Sequence, residues 1–248
     1  MTTKPTMRKT LLVLAFLASP AAGATCTETT FEGVDFTLCE ARADQDLRLF
    51  HSDASGALLG SFGAVNDMLA PEGKQLAFAM NAGMYHPDRA PVGLYVENGV
   101  QRHDIVLPAS KGNFGLLPNG VFCIGEGRLA VIESHAYAAA PPACRHATQS
   151  GPMLVIGGKL HPRFIPGGDS RYIRNGVGVS ADGQRAVFAI SEDAVNFDTF
   201  GRLYRDVLRL PDALYFDGKV SRLYDAGTGR SDLGFAMGPI VGLVVPQP

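Results

Sequence analysis

Apolar and polar positions alternate with a period of two along most of this chain, and dipeptides containing glycine interrupt the alternation at short intervals. Asn98-Gly99 separates residues 93–97 from 100–105, Gly157-Gly158 separates 153–156 from 159–161, and Asp182-Gly183 separates 176–180 from 185–191. Each dipeptide tolerates positive φ and is flanked by strand-forming residues, which predicts a tight hairpin. The same alternation predicts strands over 31–38, 46–50, 76–80, 121–124, 129–133, 213–216, 221–224 and 240–245.

A helical period is visible in only two places. Over 198–210, Phe200, Leu203, Tyr204, Val207 and Leu208 fall on one face, while Arg202, Arg205, Asp206 and Arg209 fall elsewhere. Asp198 can cap the start of that helix and Pro211 stops it. A shorter helix is predicted over 62–69, ended by Pro71 and Gly73. The chain has no internal repeat, low-complexity linker or charge block. The fold class expected is α+β: one strand-rich domain over residues 25–248, a mixed β-sheet with several hairpins, and a few flanking helices.

The N-terminus changes the picture of where this domain works. Lys4, Arg8 and Lys9 precede an apolar run over 11–18, and Ala22-Gly23-Ala24 supplies the small-residue pattern of a cleavage site. This reads as an export signal over residues 1–24, cut after Ala24, which places the mature chain in the periplasm or outside the cell. Thr25 stands directly before Cys26, where a lipid-anchoring signal wants a small residue, so a lipoprotein ranks second and an uncleaved membrane anchor third. No later run is long and apolar enough to span a bilayer. Without the three signal cations, 19 Lys and Arg face 24 Asp and Glu, a formal charge of −5. Such a balance argues against nucleic acid as a partner. The oligomeric state is open.

Four cysteines lie in the exported part, Cys26, Cys39, Cys123 and Cys144. An even number in an oxidising compartment predicts disulfides. Of the three pairings, Cys26–Cys39 with Cys123–Cys144 is favoured, because each bond then closes a short loop. A metal site built on Cys144 and His146 is the alternative. The motifs G-x-S-x-G, H-E-x-x-H and G-x-x-x-x-G-K-[ST] are all missing. The run 176–181 resembles a dinucleotide fingerprint on paper, but a hairpin follows it where a helix is required.

Four polar clusters at predicted strand ends remain as candidate chemistry. Asn81, with Gly83, follows an apolar strand. Gln149-Ser150-Gly151-Pro152 offers amides and a hydroxyl to a sugar or a phosphate. Arg174, with Arg171 nearby, suggests an anionic ligand. Asp217 ends the apolar run 213–216, with Ser221 beyond it. Ser191-Glu192-Asp193 supplies spare carboxylates at the end of another strand. Each cluster also has a plain structural reading, as a turn or a solvated charge.

Asn81-Ala82-Gly83-Met84, Gln149-Ser150-Gly151-Pro152, Arg174 ahead of Val177-Gly178, and Asp217-Gly218 with Ser221 occur in one order. That order resembles the phosphodiester glycosidase family, whose namesake uncovers mannose 6-phosphate on lysosomal glycoproteins. The likeness covers residues 75–245 and is closest to the bacterial exported branch. The family commonly shows Asp-Gly-Gly-Gly-Ser where this chain has Asp217-Gly218-Lys219-Val220-Ser221. Two glycines are thus replaced, which bears on the substrate more than on the chemistry.

The resemblance implies hydrolysis of a sugar-1-phosphodiester at the sugar C1–O bond, giving free sugar and a phosphomonoester. A glycosyl-phosphodiester or an envelope glycan is the expected substrate. Arg174 would hold the departing phosphate, and Asp217 would serve as nucleophile, base or electrostatic stabiliser. Asn81, Ser150, the Gly151 backbone and Ser221 would orient sugar hydroxyls or phosphate oxygens. Gly83, Gln149 and Ser191 would help form the binding site, and Glu192 is a reserve second carboxylate. No cofactor or metal is assigned, with a divalent cation left open. One rival is an exported glycan- or phospho-sugar-binding protein without catalysis. Such modules often read sugars with exposed aromatic rings, and this chain has no Trp. A metal-dependent phosphodiesterase cutting the P–O bond ranks last.

Overall fold

Pairs of neighbouring residues with positive φ set the chain reversals that build this fold. The computed structural model describes residues 26–248, and the expected export signal lies outside them. Glu32-Gly33, Asn98-Gly99 and Gly157-Gly158 have φ values of 52° and 75°, 52° and 74°, and 53° and 79°. Asn98-Gly99 and Gly157-Gly158 turn as their composition predicts. Glu32-Gly33 divides the expected strand 31–38 into a hairpin. That hairpin sets Cys26 opposite Cys39, and the two form a disulfide. Cys123 and Cys144 form the second. Both favoured pairings therefore hold. The sulfur of Cys26 is committed to Cys39, which leaves none for a lipid anchor, and the Cys144–His146 metal alternative loses its thiolate.

The strands, in chain order, are β1 Cys26–Phe31, β2 Val34–Arg42, β3 Asp46–Phe50, β4 Lys74–Asn81, β5 Tyr95–Glu97 and β6 Val100–His103. There follow β7 Gly120–Gly125, β8 Arg128–Glu133, β9 His146–Ser150, β10 Met153–Ile156, β11 Lys159–Leu160 and β12 Asn175–Val179. The last are β13 Arg185–Ser191, β14 Asp212–Asp217, β15 Leu223–Asp225, β16 Arg230–Ser231 and β17 Ile240–Pro246. Three short helices accompany them, α1 Phe62–Leu69, α2 Ser134–Ala139 and α3 Phe197–Arg202.

The strands form three sheets, in the orders β1-β2-β13-β12-β14-β10-β11, β16-β15-β4-β17-β3 and β6-β5-β9-β7-β8. The strand-rich α+β expectation holds. One detail differs: every ladder among these strands is antiparallel, where a mixed sheet was expected. Hairpins account for the pairs of consecutive strands; the remaining antiparallel ladders join strands far apart in the chain, such as β2 with β13 and β4 with β17.

The three sheets enclose one core. Phe188 of the first sheet meets Phe78 of the second (ring centroids 5.4 Å apart) and Phe122 of the third (5.7 Å). Each sheet has a helix or helical turn on its other face. Alternation along β14 shows how: Leu214 and Phe216 enter the central core, while Ala213 and Tyr215 pack with Phe200, Leu203 and Tyr204. Gly178 permits that close approach, since a Cβ there would lie 2.7 Å from Tyr204 Cδ1. Helix α1 packs outside the second sheet through Phe62, Val65 and Leu69, and Tyr137 of α2 outside the third.

The expected helix 198–210 is shorter and begins earlier. Its cap is Asn196, whose Oδ1 accepts from Thr199 N, and not Asp198. Asp198 sits in the first turn and pairs with Arg202 instead. A π-helical turn then runs over Leu203–Val207. The wider turn shifts the helical phase, so Phe200, Leu203 and Tyr204 are buried while Val207 faces solvent. Helix α2 and strands β1, β9 and β16 were not anticipated. No helix among the described residues is long and apolar enough to cross a membrane.

Candidate functional site

The three sheets meet at one end, where buried polar side chains tie them together. Asn81, at the end of β4, donates from Nδ2 to Asn175 Oδ1 (3.1 Å) at the start of β12. Asn175 returns a bond from its own Nδ2 to the Asn81 carbonyl (2.8 Å). Ser150, at the end of β9, donates to the Phe216 carbonyl of β14 (2.9 Å). Thr148 of β9 donates to the Ala82 carbonyl (2.9 Å). Each pair of sheets is therefore joined by a buried hydrogen bond, in surroundings where an unmade bond costs most.

Asp217 emerges from this junction. β14 carries one extra residue opposite Asn175 and Gly176, a bulge that re-aims the strand end. Asp217 Oδ1 accepts from the backbone N–H groups of Gly218 (2.5 Å) and Lys219 (2.8 Å). Burial raises its pKa, and those backbone donors oppose the rise without cancelling it. The Ser221 hydroxyl lies 2.9 Å from the Asp217 carbonyl, 2.9 Å from the Ile173 carbonyl and 3.2 Å from Asn175 Oδ1. Arg222 N donates to Asn81 Oδ1 (3.0 Å). Asn81, Asn175, Asp217 and Ser221 thus form one connected cluster. The half-buried phenol of Tyr85 adjoins it. Its pKa is raised by burial and then by the Asp217 charge.

Arg174 is fully buried, and no carboxylate among the described residues forms an ion pair with it. Its guanidinium lies over the Phe197 ring (3.6 Å to the centroid), between the rings of Tyr215 (5.2 Å) and Tyr172 (5.4 Å). Nε donates to the Val195 carbonyl (2.8 Å) and Nη2 to the Ser170 carbonyl (2.8 Å). Nη1 is buried without a hydrogen-bond partner. Burial lowers the guanidinium pKa, against the pull of Tyr215, Tyr172 and Asp217. Tyr215 is the link between the two halves. Burial raises its phenol pKa, Arg174 lowers it and Asp217 raises it, so both charges act on one hydroxyl. Tyr215 stands two residues before Asp217 on β14, with the Arg174 guanidinium 5.2 Å from its ring.

The other residues singled out from sequence divide clearly. Ser191 Oγ accepts from Arg174 N (2.9 Å) and so belongs to the arginine's support. Gln149 is buried and fully committed. Its Oε1 accepts from Leu94 N and Val106 N, and its Nε2 donates to the Val106 carbonyl and Ser134 Oγ. Gly83, at φ 153°, packs against Thr148, where a Cβ would meet Oγ1 at 3.1 Å. Gly151 backs onto Asn119, where a Cβ would lie 2.4 Å from the Asn119 Cβ. Glu192 is not brought to Asp217: it accepts from Thr37 and from Arg230 (2.6 Å each) and lines a separate cleft with Glu28, Thr30 and Asp35. Arg171 is exposed. Asn175, Tyr215, Tyr85 and Arg222 were not foreseen. A buried Asn at the head of a Gly-Val strand was the one visible signal. Among the described residues, no group of three or more His, Cys, Asp or Glu side chains could hold a metal ion.

Comparison with known proteins agrees with this architecture. A structural match (TM-score 0.62, 12% identity) covers 92% of this chain and 85% of the catalytic domain of zebrafish N-acetylglucosamine-1-phosphodiester alpha-N-acetylglucosaminidase, auto-inhibited by its pro-peptide. A second (TM-score 0.55, 12% identity) covers 85% of this chain and 74% of a Burkholderia pseudomallei K96243 protein described as exported. In sequence, the chain is 35% identical over 181 residues to the uncharacterized protein YigE of Escherichia coli (strain K12), covering 73% of this chain and 70% of YigE. The family model for phosphodiester glycosidase matches residues 74–230, a span holding Asn81, Ser150, Arg174, Asp217 and Ser221, and the chain belongs to that family.

Proposed function

We propose that this protein is an exported hydrolase that cleaves a sugar-1-phosphodiester at the glycosidic C1–O bond, releasing free sugar and a phosphomonoester. The observation that carries this reading is the buried Arg174 guanidinium, paired with no carboxylate among the described residues and lying 5.2 Å from the ring of Tyr215, two residues before Asp217 on β14. A buried cation without a carboxylate partner is costly, and a phosphate oxygen would satisfy it. The two disulfides suit an oxidising compartment outside the cytoplasm.

The chemistry follows from those charges. As the C1–O bond breaks, its electron pair leaves with the phosphate, and positive charge develops on the sugar. Arg174 stabilises the departing phosphate. Asp217 faces the sugar as an anion, or accepts the proton of the water that adds to C1. Ser221 orients the substrate beside it. Asn81, Asn175 and Ser150 are positioning residues that hold the strand ends together.

The test is hydrolysis of a panel of sugar-1-phosphodiesters in 18O-labelled water, with both products identified. Label in the sugar is the expected result. Label in the phosphate would mean P–O cleavage, and binding without product would mean a non-catalytic receptor; either overturns the proposal.

A further inference from the structure

Eight large apolar side chains stand exposed among the described residues, and five of them border the candidate site: Ile165, Tyr172, Ile173, Leu233 and Phe235. Leu233 is 92% exposed and Phe235 84%, so neither contributes to folding. Single exposed apolar residues are ordinary, but five around one polar site are a patch that calls for a ligand.

Their placement is ordered. On one side, Ile165 stands at a cavity of about 190 Å³ lined also by Leu116, Phe164 and Phe197, together with Arg163, Asp169 and Ser170. Phe197 is the ring beneath Arg174, and Ser170 accepts from its Nη2. Tyr172 lies beside the same guanidinium, and the Ile173 carbonyl is within reach of Ser221. On the other side, Leu233 and Phe235 flank Gly234. A Cβ on Gly234 would collide with the Arg222 guanidinium. Arg222 Nη1 donates to the Phe235 carbonyl (2.6 Å), and Arg222 N donates to Asn81 Oδ1. Each cation thus has apolar neighbours on its own side: Arg174 lies beside Tyr172, next to Ile173, and Arg222 holds the backbone that carries Leu233 and Phe235. A phosphate held by either cation would bring a hydrocarbon chain on its ester oxygen against those side chains.

We infer that the alcohol leaving with the phosphate is a lipid: the substrate is a glycosyl-1-phosphate ester of a long apolar alcohol, whose first carbons lie along the rim. This rests on the hydrolase reading above and names its substrate class. Hydrocarbon removed from water along Leu233, Phe235 and Ile165 would favour longer chains.

The experiment compares the methyl and decyl esters of one hexose 1-phosphate below their micellar concentrations. It uses the wild-type protein and the variants Ile165→Ser and Leu233→Ser with Phe235→Ser, whose side chains are exposed and whose removal leaves the fold intact. The decyl ester should be cleaved with kcat/KM about tenfold or more above the methyl ester, and that ratio should fall at least about fivefold in the variants. Equal rates, or a ratio unchanged by the substitutions, overturn the inference while the hydrolase reading stands. If neither ester is cleaved, calorimetry with methyl phosphate and decyl phosphate decides. Tighter binding of decyl phosphate, weakened in the variants, keeps the rim assignment and removes the hydrolysis. Equal binding removes both.

Discussion

Gln149 and Arg174 are both long polar side chains buried beside strand ends, and the molecule treats them in opposite ways. Gln149 has four partners for its two amide atoms, among them the N–H groups of Leu94 and Val106. It satisfies a loop whose backbone would otherwise lack partners. Arg174 has well-made bonds at Nε and Nη2, but no carboxylate among the described residues answers its charge. Burial of a polar group does not by itself mark function; a buried cation that no carboxylate pairs is the stronger pointer.

The strongest challenge to that contrast is Asp217→Asn. Activity should fall about a thousandfold or more, from loss of the anion at the reacting carbon. Because burial raises the Asp217 pKa, a neutral isostere should leave the melting temperature unchanged or higher at neutral pH. The same rise sets a pH signature. The ionised form is lost as pH falls through a value above the usual carboxylate pKa of about 3.9, so the acid limb of kcat/KM should lie above that value and vanish in the variant. Full activity in the Asp217→Asn protein would remove the carboxylate from the mechanism.

Arg174→Lys keeps the charge and discards the planar fork. A loss of about a hundredfold in kcat/KM on a phosphodiester is expected, with far-ultraviolet circular dichroism retained. Gln149→Ala should do the reverse. Stability in urea should drop by about 3 kcal/mol as buried backbone groups lose their partners, while the folded protein keeps its activity within about twofold. If the Gln149→Ala protein were stable and inactive, the contrast would be inverted.

His146 adds a third case, because its Nε2 is also buried without a partner. Burial, with the Arg145 and Arg48 charges, lowers its pKa to about 4. A neutral imidazole nitrogen is a weaker demand than a guanidinium N–H. The unfolded chain takes up this proton near a pH of about 6.5 and the folded one only near about 4, so stability should fall as pH drops across that interval. His146→Gln should flatten that part of the melting-temperature profile without changing kcat/KM. The smallest effect belongs to Glu192→Gln. Its half-exposed pair with Arg230 should contribute no more than about 1 kcal/mol, and activity should change less than about twofold.

The sequence exposes local chemistry and hides distant partners. Asn98-Gly99 and Gly157-Gly158 were legible as turns because their conformational demand lies within the dipeptide itself. Helix α1 was legible from its apolar spacing and from Pro71 and Gly73. Glu32-Gly33 was not, since Glu seldom accepts positive φ and the residues on either side continue the strand pattern. The π-helical turn over Leu203–Val207 was also hidden, because the apolar spacing fits an ordinary helix equally well. At the site, Asn81, Arg174 and Asp217 could be picked out as polar residues at the ends of apolar runs. The commitment of Gln149 could not, since its partners Leu94 and Val106 are 55 and 43 residues away. Tyr215, whose ring lies beside the Arg174 guanidinium, looks from its neighbours like one more core aromatic.

Turn dipeptides marked several hairpins, four cysteines pointed to the redox compartment, and residue type marked the short set of polar groups able to do chemistry. Those features depend on φ preference, side-chain identity and spacing, which are properties of a few adjacent residues and are therefore written in the chain. The packed molecule alone settled which of those polar groups were consumed in holding the three sheets together and which kept a bond to offer. Hydrogen-bond satisfaction is a relation between segments far apart in the chain, and only the assembled sheets bring Asn81 to Asn175, Ser150 to Phe216, and Arg174 to the Tyr215 ring.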